Sequence, residues 1–261
     1  MPGRLRPQAA RGYSAPMCGR FLLVSPVELI RRAFAVSGPA PNLAARWNVA
    51  PTTSCLVLRR GEDGAPVFAT LRWGLVPSWA RDMSGAARMI NARGETVAEK
   101  PAFREALRRR RCLVPADGFY EWPEEGEDRR PVLFRRADRA PFAFAGIWEA
   151  WRGPDGTTAE TFAIVNTEAR GAMRRFHHRV PIVLDGGARA AWLDPAADPA
   201  PFVAGPAFED FEATRVGTHV NSVRNDDPRC IEPATGEPPP RPPARPPRAA
   251  KPRDDRQGGL F

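Results

Sequence analysis

The sequence predicts an α+β fold: a single domain built on a largely antiparallel, barrel-like β-sheet with a few flanking helices. Three observations carry that expectation. Short β-rich runs outnumber helical stretches. They follow one another without the strand-helix alternation of a doubly wound sheet. The 43% hydrophobic content of 261 residues is enough for one sizeable core.

The first helix is announced by Ser25-Pro26-Val27-Glu28, which sets a hydroxyl before a proline and a carboxylate three positions on, a capping-box pattern. Val27, Ile30 and Phe34 then fall on one face, so a helix is expected over 26–35. Strand-like runs follow at 55–60 (CLVLRR), 67–73 (VFATLRW), 112–116 (CLVPA), 118–122 (GFYEW), 131–136 (PVLFRR), 142–151 (FAFAGIWEAW), 161–167 (TFAIVNT) and 180–184 (VPIVL). Gly, Pro, Asp and Asn separate them, as strand boundaries require. Helical spacing returns over 98–110, with Phe103, Ala106 and Leu107 on one side, and near 188–193.

Three segments are expected: an extension over 1–16, absent from the mature protein; a domain over 17–235; and a disordered Pro/Arg-rich tail over 236–261. From Pro238 the tail holds eight prolines in 24 residues, too little apolar surface to offset the entropy of ordering it. The two ends also dominate the net charge of +9: residues 1–16 carry +3 and residues 238–261 carry +4, leaving +2 between them. Net basicity therefore says little about the folded part, where Arg108 to Arg111, Arg135, Arg136, Arg174 and Arg175 form local clusters. No apolar run approaches the roughly 18 residues that span a bilayer, and residues 1–16 have no apolar h-region. A cytoplasmic location, a monomer and no membrane partner are expected.

Cys18, Cys55, Cys112 and Cys230 are far apart, with no C-x-x-C pair and no histidine at ligand spacing, so no disulfide framework, metal site or cofactor is expected. Three of the four read as small buried hydrophobes. Cys18 differs by its context, Met17-Cys18-Gly19-Arg20-Phe21.

Five polar stretches stand where hydrophobic patterning does not ask for them: 18–20, 47–51, 90–93, 119–122 and 177–181. Glu121 lies between Tyr120 and Trp122 in a β-rich run. Desolvation there would suit a general acid, although strand alternation equally allows it to face solvent. His177 and His178 are two of only three histidines, and one of an adjacent pair usually faces water. Asn91 and Arg93, two apart, emerge on one side of an extended segment.

Seven ordered blocks, MCGRF (17–21), WNVAPT (47–52), RWGLVPSW (72–79), INARGET (90–96), RRCLVPADGFYEW (110–122), HHRVPIVL (177–184) and VNSVRND (220–226), make the chain resemble the SOS-response-associated peptidase (SRAP) family. Its members shield abasic sites in single-stranded DNA. The resemblance covers about residues 17–235. It implies Cys18 as covalent nucleophile, Asn91 as a contact to the abasic sugar, Glu121 as acid/base and His177 as a second proton-transfer or sugar-positioning group. Arg20 and Arg93 would bind flanking phosphates, with Trp79 and Pro77 against unstacked bases. Two departures stand out: Val165-Asn166-Thr167, which leaves the role of Asn166 open, and Val180 in place of methionine after His177-His178-Arg179.

The implied chemistry needs Cys18 at a free N-terminus. An amine on the carbon next to a thiol can form an imine with the abasic aldehyde and then close a thiazolidine ring, whereas an amide nitrogen cannot. Translation from Met17 with removal of that methionine is the favoured route; cleavage of the extension, by the protein itself, is the second, and retention of the extension with the activity lost is the third. At the other end, Gln257, Leu260 and Phe261 form a Gln-x-x-Leu-Phe ending that resembles the peptide with which bacterial repair proteins dock on the sliding clamp. Two rivals remain: an N-terminal-nucleophile thiol peptidase or amidohydrolase, and a noncatalytic single-strand binder.

Overall fold

Five strands close on themselves in the computed structural model, which describes residues 19–123, 130–204 and 210–236. They are β3 (Ser54–Arg60), β4 (Pro66–Trp73), β6 (Arg111–Ala116), β9 (Phe142–Arg152) and β10 (Thr158–Glu168). Their order around the ring is β9-β10-β4-β3-β6, with β6 returning to β9. Every joint is antiparallel except β10 with β4, where Thr161 pairs with Arg72. Three short strands extend this sheet: β5 (Asn91–Arg93) lies parallel to β10, β11 (Arg179–Pro181) antiparallel to it, and β12 (Val183–Leu184) antiparallel to β9.

A second, wholly antiparallel sheet runs in the order β13-β8-β7-β1-β2. It contains β1 (Phe21–Leu23), β2 (Arg46–Val49), β7 (Gly118–Glu121), β8 (Val132–Arg136) and β13 (Phe211–Arg215). An aromatic seam binds it to the barrel. The rings of Phe21 and Trp73 are 5.3 Å apart and those of Phe119 and Phe144 5.9 Å apart, each pair taking one ring from each sheet. Such tilted and edge-on contacts add to the burial of very large side chains. One apolar core therefore serves both sheets, as a single domain requires.

Helix α1 (Val27–Phe34) buries Ile30 and Phe34, and α3 (Gly187–Leu193) buries Trp192, whose Nε1 donates to the carbonyls of Cys112 (3.0 Å) and Gly146 (3.2 Å). Two sequence expectations change. Ser25 does not cap α1: its hydroxyl and its amide both donate to Asp117 (2.6 and 2.7 Å), a buried carboxylate that also accepts from the Val24 amide at 2.6 Å. The helix expected over 98–110 is reduced to α2 (Arg104–Arg109). Pro101 explains the loss, since it has no N–H and disfavours a helical residue before it. Turns occupy 94–103 instead.

Candidate active site

The chain start and the β7 end are brought side by side by register. Phe21 pairs with Phe119, and the Tyr120 amide donates to the Arg20 carbonyl at 3.0 Å. Gly19 and Arg20 thus lie beside Glu121 and Trp122. From the barrel side, β5 and β11 both pair with β10, which delivers the segment before β5 and His177, two residues before β11. Between them opens a cleft of about 710 Å³. Its wall includes Gly19, Arg20, Thr52, Ile90, Glu121, Trp122, His177, Asn221 and Val223.

Glu121 is 3% exposed and His177 5%, yet both line the cleft. Strand alternation thus turns the carboxylate inward, and His178, stacked on His177 with ring centroids 4.4 Å apart, is the exposed member of the pair. The Arg179 amide donates to His177 Nδ1 at 3.1 Å. The Arg179 carbonyl lies 3.2 Å from the same nitrogen, so the Arg179 backbone fixes the orientation of the ring whichever nitrogen carries its proton.

Arg179 is itself held. Its Nε and Nη2 donate to Asn166 Oδ1 (2.9 and 2.7 Å), and Nη2 also reaches Glu95 at 2.7 Å. That fixes the role left open for Asn166: it is fully buried and anchors the arginine that follows the histidine pair. Burial works to raise the Glu95 carboxyl, but the Arg179 hydrogen bond and charge, with backbone donors, hold it below the usual carboxylate range.

Arg20 is partly buried, and its guanidinium donates to Asn48 Oδ1 (2.9 Å) and to the carbonyls of Val220 (2.8 Å) and Asn221 (3.3 Å). It braces the 218–226 loop while presenting a face to the cleft beside Trp122, 5.6 Å from the ring centre. The same loop is gripped by two residues that sequence reasoning did not single out. Asn48 Nδ2 donates to the carbonyls of Val220, Ser222 and Asn225 (3.1, 3.0 and 2.7 Å), and Asp226 accepts from the Trp47 and Asn48 amides (2.5 and 2.9 Å) and from Arg46. Both belong to blocks already noticed, WNVAPT and VNSVRND, which were the only available signal. Thr52, also on the cleft wall, holds φ at 68°, a left-handed conformation that a β-branched residue adopts only under constraint.

Asn91 and Arg93 line a neighbouring groove of about 540 Å³ together with Trp79, Arg88 and Lys100. Fully buried Ala92 separates them, so the two do share a side of β5. The groove and the cleft meet there, since Ile90 lines one and Asn91 the other. Trp79 is 66% exposed. Pro77, expected to share its stacking surface, is buried instead. Its carbonyl closes a turn by accepting the Ala80 amide at 2.9 Å, which leaves Trp79 alone facing outward. Cys18, Gln257, Leu260 and Phe261 lie outside the described residues. Cys55, Cys112 and Cys230 are free and buried, and burial pushes the Cys55 thiol up to about 12. Among the described residues, no group of three His, Cys, Asp or Glu side chains could hold a metal, and no helix is long and apolar enough to cross a membrane.

The fold and site together define a class: an α+β protein in which a closed barrel and a second sheet meet at a cleft carrying a water-shielded carboxylate and imidazole. The family model for SOS response associated peptidase (SRAP) matches residues 17–223, and the chain belongs to that family. It is 36% identical over 228 residues to abasic site processing protein YoqW of Bacillus subtilis (strain 168), an alignment spanning 83% of this chain and 99% of that one. With abasic site processing protein HMCES of Gallus gallus it shares 34% over 204 residues, 68% of this chain and 60% of the other. A solved protein from Bacteroides thetaiotaomicron superposes with a TM-score of 0.75 over 84% of this chain and 100% of that one; at 24% identity it speaks for the fold alone. A solved phage-related protein of Bordetella bronchiseptica gives a TM-score of 0.61 at 31% identity, covering 76% of this chain and 94% of its own.

Proposed function

We propose that this protein senses abasic sites in single-stranded DNA and holds them as a covalent thiazolidine formed by the α-amine and thiol of Cys18. One observation carries the reading: Gly19 and Arg20, which follow Cys18 directly, line the same cleft as buried Glu121 and His177. The names of the relatives, abasic site processing proteins, agree with it.

The ring-opened sugar offers an aldehyde at C1′. The Cys18 amine adds to that carbon to give a carbinolamine, and loss of water gives an imine. The Cys18 sulfur then adds to the imine carbon as the nitrogen takes up a proton, so one water leaves per crosslink. Glu121 supplies the proton that lets the hydroxyl depart, and His177 assists sugar opening. The amine titrates near neutrality, which leaves a usable fraction unprotonated. Closure of the five-membered ring is intramolecular and therefore favoured. Asn91 contacts the sugar, Arg20 and Arg93 the flanking phosphates, and Trp79 an unstacked base.

This chemistry requires residues 1–16 and Met17 to be absent from the mature protein, by a start at Met17 with removal of that methionine or by self-cleavage before Cys18, with the rest of the domain to 235 and the tail over 236–261 retained. The intact mass of natively expressed protein checks this: a sole species beginning before Cys18 overturns it. In the tail, Gln257, Leu260 and Phe261 dock on the bacterial sliding clamp and raise the local concentration at replication forks. Deleting residues 257–261 is expected to abolish clamp binding and spare crosslinking.

The central test is a denaturing gel of Cys18-initiated protein with single-stranded DNA bearing one abasic site. A retained covalent band, lost in Cys18→Ala, is expected. Complex that dissociates fully under denaturation and in high salt would instead mark a noncovalent binder, and turnover of an external amide would mark a thiol peptidase or amidohydrolase.

A further inference from the structure

A second basic groove lies at the far end of the barrel. Strand β3 starts next to Thr53 on the cleft wall and ends at Arg60; its seven residues place the two ends about 20 Å apart at roughly 3.3 Å per residue. Around that far end opens a groove of about 540 Å³ lined by Arg59, Arg60, Arg109 and Arg111, with Trp148 beside them and Glu62 as the one acid in the wall.

The four guanidinium groups are not equally satisfied. Arg59 pairs with Glu160 at 2.6 Å and lies 4.5 Å over the Trp148 ring. Arg109 pairs with Glu105 at 2.8 Å, yet 69% of its side chain stays exposed. Arg60 is exposed and has no ion pair among the described residues. It folds across Gly64, where a Cβ would sit 3.1 Å from its Nη2.

Arg111 is the informative member. It is 5% exposed, donates through Nη2 to the carbonyls of Asp194 (2.6 Å) and Ala197 (3.0 Å), and lies 5.6 Å from the centre of the Trp192 ring, with no ion pair among the described residues. Its Nε and Nη1 are buried with no hydrogen-bond partner among the described residues. Buried unsatisfied donors on a charged group are rare because they are costly. Burial lowers the pKa of this guanidinium, opposed by the charges of Asp194 and Asp198. An anion seated in the groove would relieve that cost.

We propose that this groove binds a phosphate group, carried by a small phosphate ester or by the backbone of a nucleic acid, independently of the cleft. Several planar forks converging on one space suit a tetrahedral oxyanion with acceptors on every side, whereas a carboxylate is matched by one. The inference does not depend on chemistry at Cys18, and its test does not read crosslinking.

The indole resonance of Trp148, identified by its loss in Trp148→Phe, reports occupancy in the full chain. Titration with inorganic phosphate, at ionic strength held constant with chloride, is expected to move it saturably. The double variant Arg60→Ser/Arg109→Ser removes two exposed arginines without disturbing buried Arg111, and is expected to bind phosphate at least about tenfold more weakly. A short single strand without an abasic site forms the second arm: a saturable shift with it assigns the nucleic-acid backbone, and a shift with phosphate alone assigns a small ester. No saturable shift with either, a response that chloride reproduces, or equal affinity in the double variant overturns the proposal.

Discussion

Glu121 combines two properties that normally exclude each other, near-complete burial and access to a cleft of about 710 Å³. Glu121→Gln keeps the shape and burial and removes the proton, so single-turnover crosslinking of an abasic single strand is expected to slow about 100-fold or more, the usual worth of a positioned acid/base. A wild-type rate would strip Glu121 of that role. Its place between two aromatic residues in a strand singled this residue out in sequence, but alternation left the inward and outward orientations equally open, and only the fold decides between them. Asn48 was not singled out, since its three acceptors lie more than 170 positions away and no local pattern reveals them. Its importance follows from geometry: Asn48→Ala removes one donor from each of the Val220, Ser222 and Asn225 carbonyls, which keep only Arg20, the Asn225 amide and the Cys230 thiol respectively, and takes one of three acceptors from Arg20. We expect a loss of about 1 to 3 kcal/mol in urea unfolding, the scale for removing one partner from buried hydrogen bonds. Crosslinking should weaken as well, because the 218–226 loop forms part of the wall.

Elements transmit such constraints to the site through short pieces that periodicity cannot detect. The longer strands were readable from alternating and β-branched runs. By contrast β1, β2 and β5 have only three or four residues each, two full periods at most, and all three border the site. Strand β5 exists because β10 offers it a parallel edge, not because its sequence demands extension. What holds it in register is the crossing after β4, where the Gly74 amide donates to the Phe162 carbonyl (2.8 Å) and the Leu75 amide to that of Met89 (3.0 Å). Gly74 has φ at 127°, and a Cβ there would lie 2.7 Å from the Ala86 carbonyl oxygen. Gly74→Ala therefore has to move the 83–90 segment, whose end places Ile90 in the cleft and Asn91 in the neighbouring groove. The expected outcome is a loss of about 2 kcal/mol or more from a strained backbone plus a clash, read by thermal unfolding, with crosslinking impaired beyond what the lost stability explains. A variant that is destabilised but crosslinks normally when folded would show that β5 is positioned by β10 alone.

At the scale of the whole molecule, the main core spans both sheets and a smaller apolar cluster surrounds Tyr120 beside the second sheet, and both hold groups whose ionisation they cannot tolerate. Burial raises Cys55 of β3 from its ordinary 9.0 to about 12, raises Cys112 of β6 further, and raises Tyr120 of β7 well above its ordinary 10.0. Each group is neutral when protonated, and the folded state holds that proton more tightly than the unfolded chain does. The stabilisation is thus fully present below about pH 9, where both states are protonated. It falls as pH rises into the window from about 9 to about 12, because the unfolded chain releases protons that the folded one retains. The slope approaches about 1.4 kcal/mol per pH unit for each group once the unfolded chain is largely ionised, so from a half-ionised start at pH 9 two cysteines cost about 2 kcal/mol between pH 9 and 10. Since β3 and β6 belong to the barrel and β7 to the second sheet, the shared core predicts a single cooperative alkaline transition and not separate loss of either sheet. Urea unfolding at pH 8 and pH 10.5 measures this. Cys55→Ala is expected to be less stable than wild type at pH 8 but to lose less on going to pH 10.5, by one proton's share of the slope. Parallel losses in the two proteins would show that Cys55 ionises as freely folded as unfolded, contrary to its burial in the barrel wall.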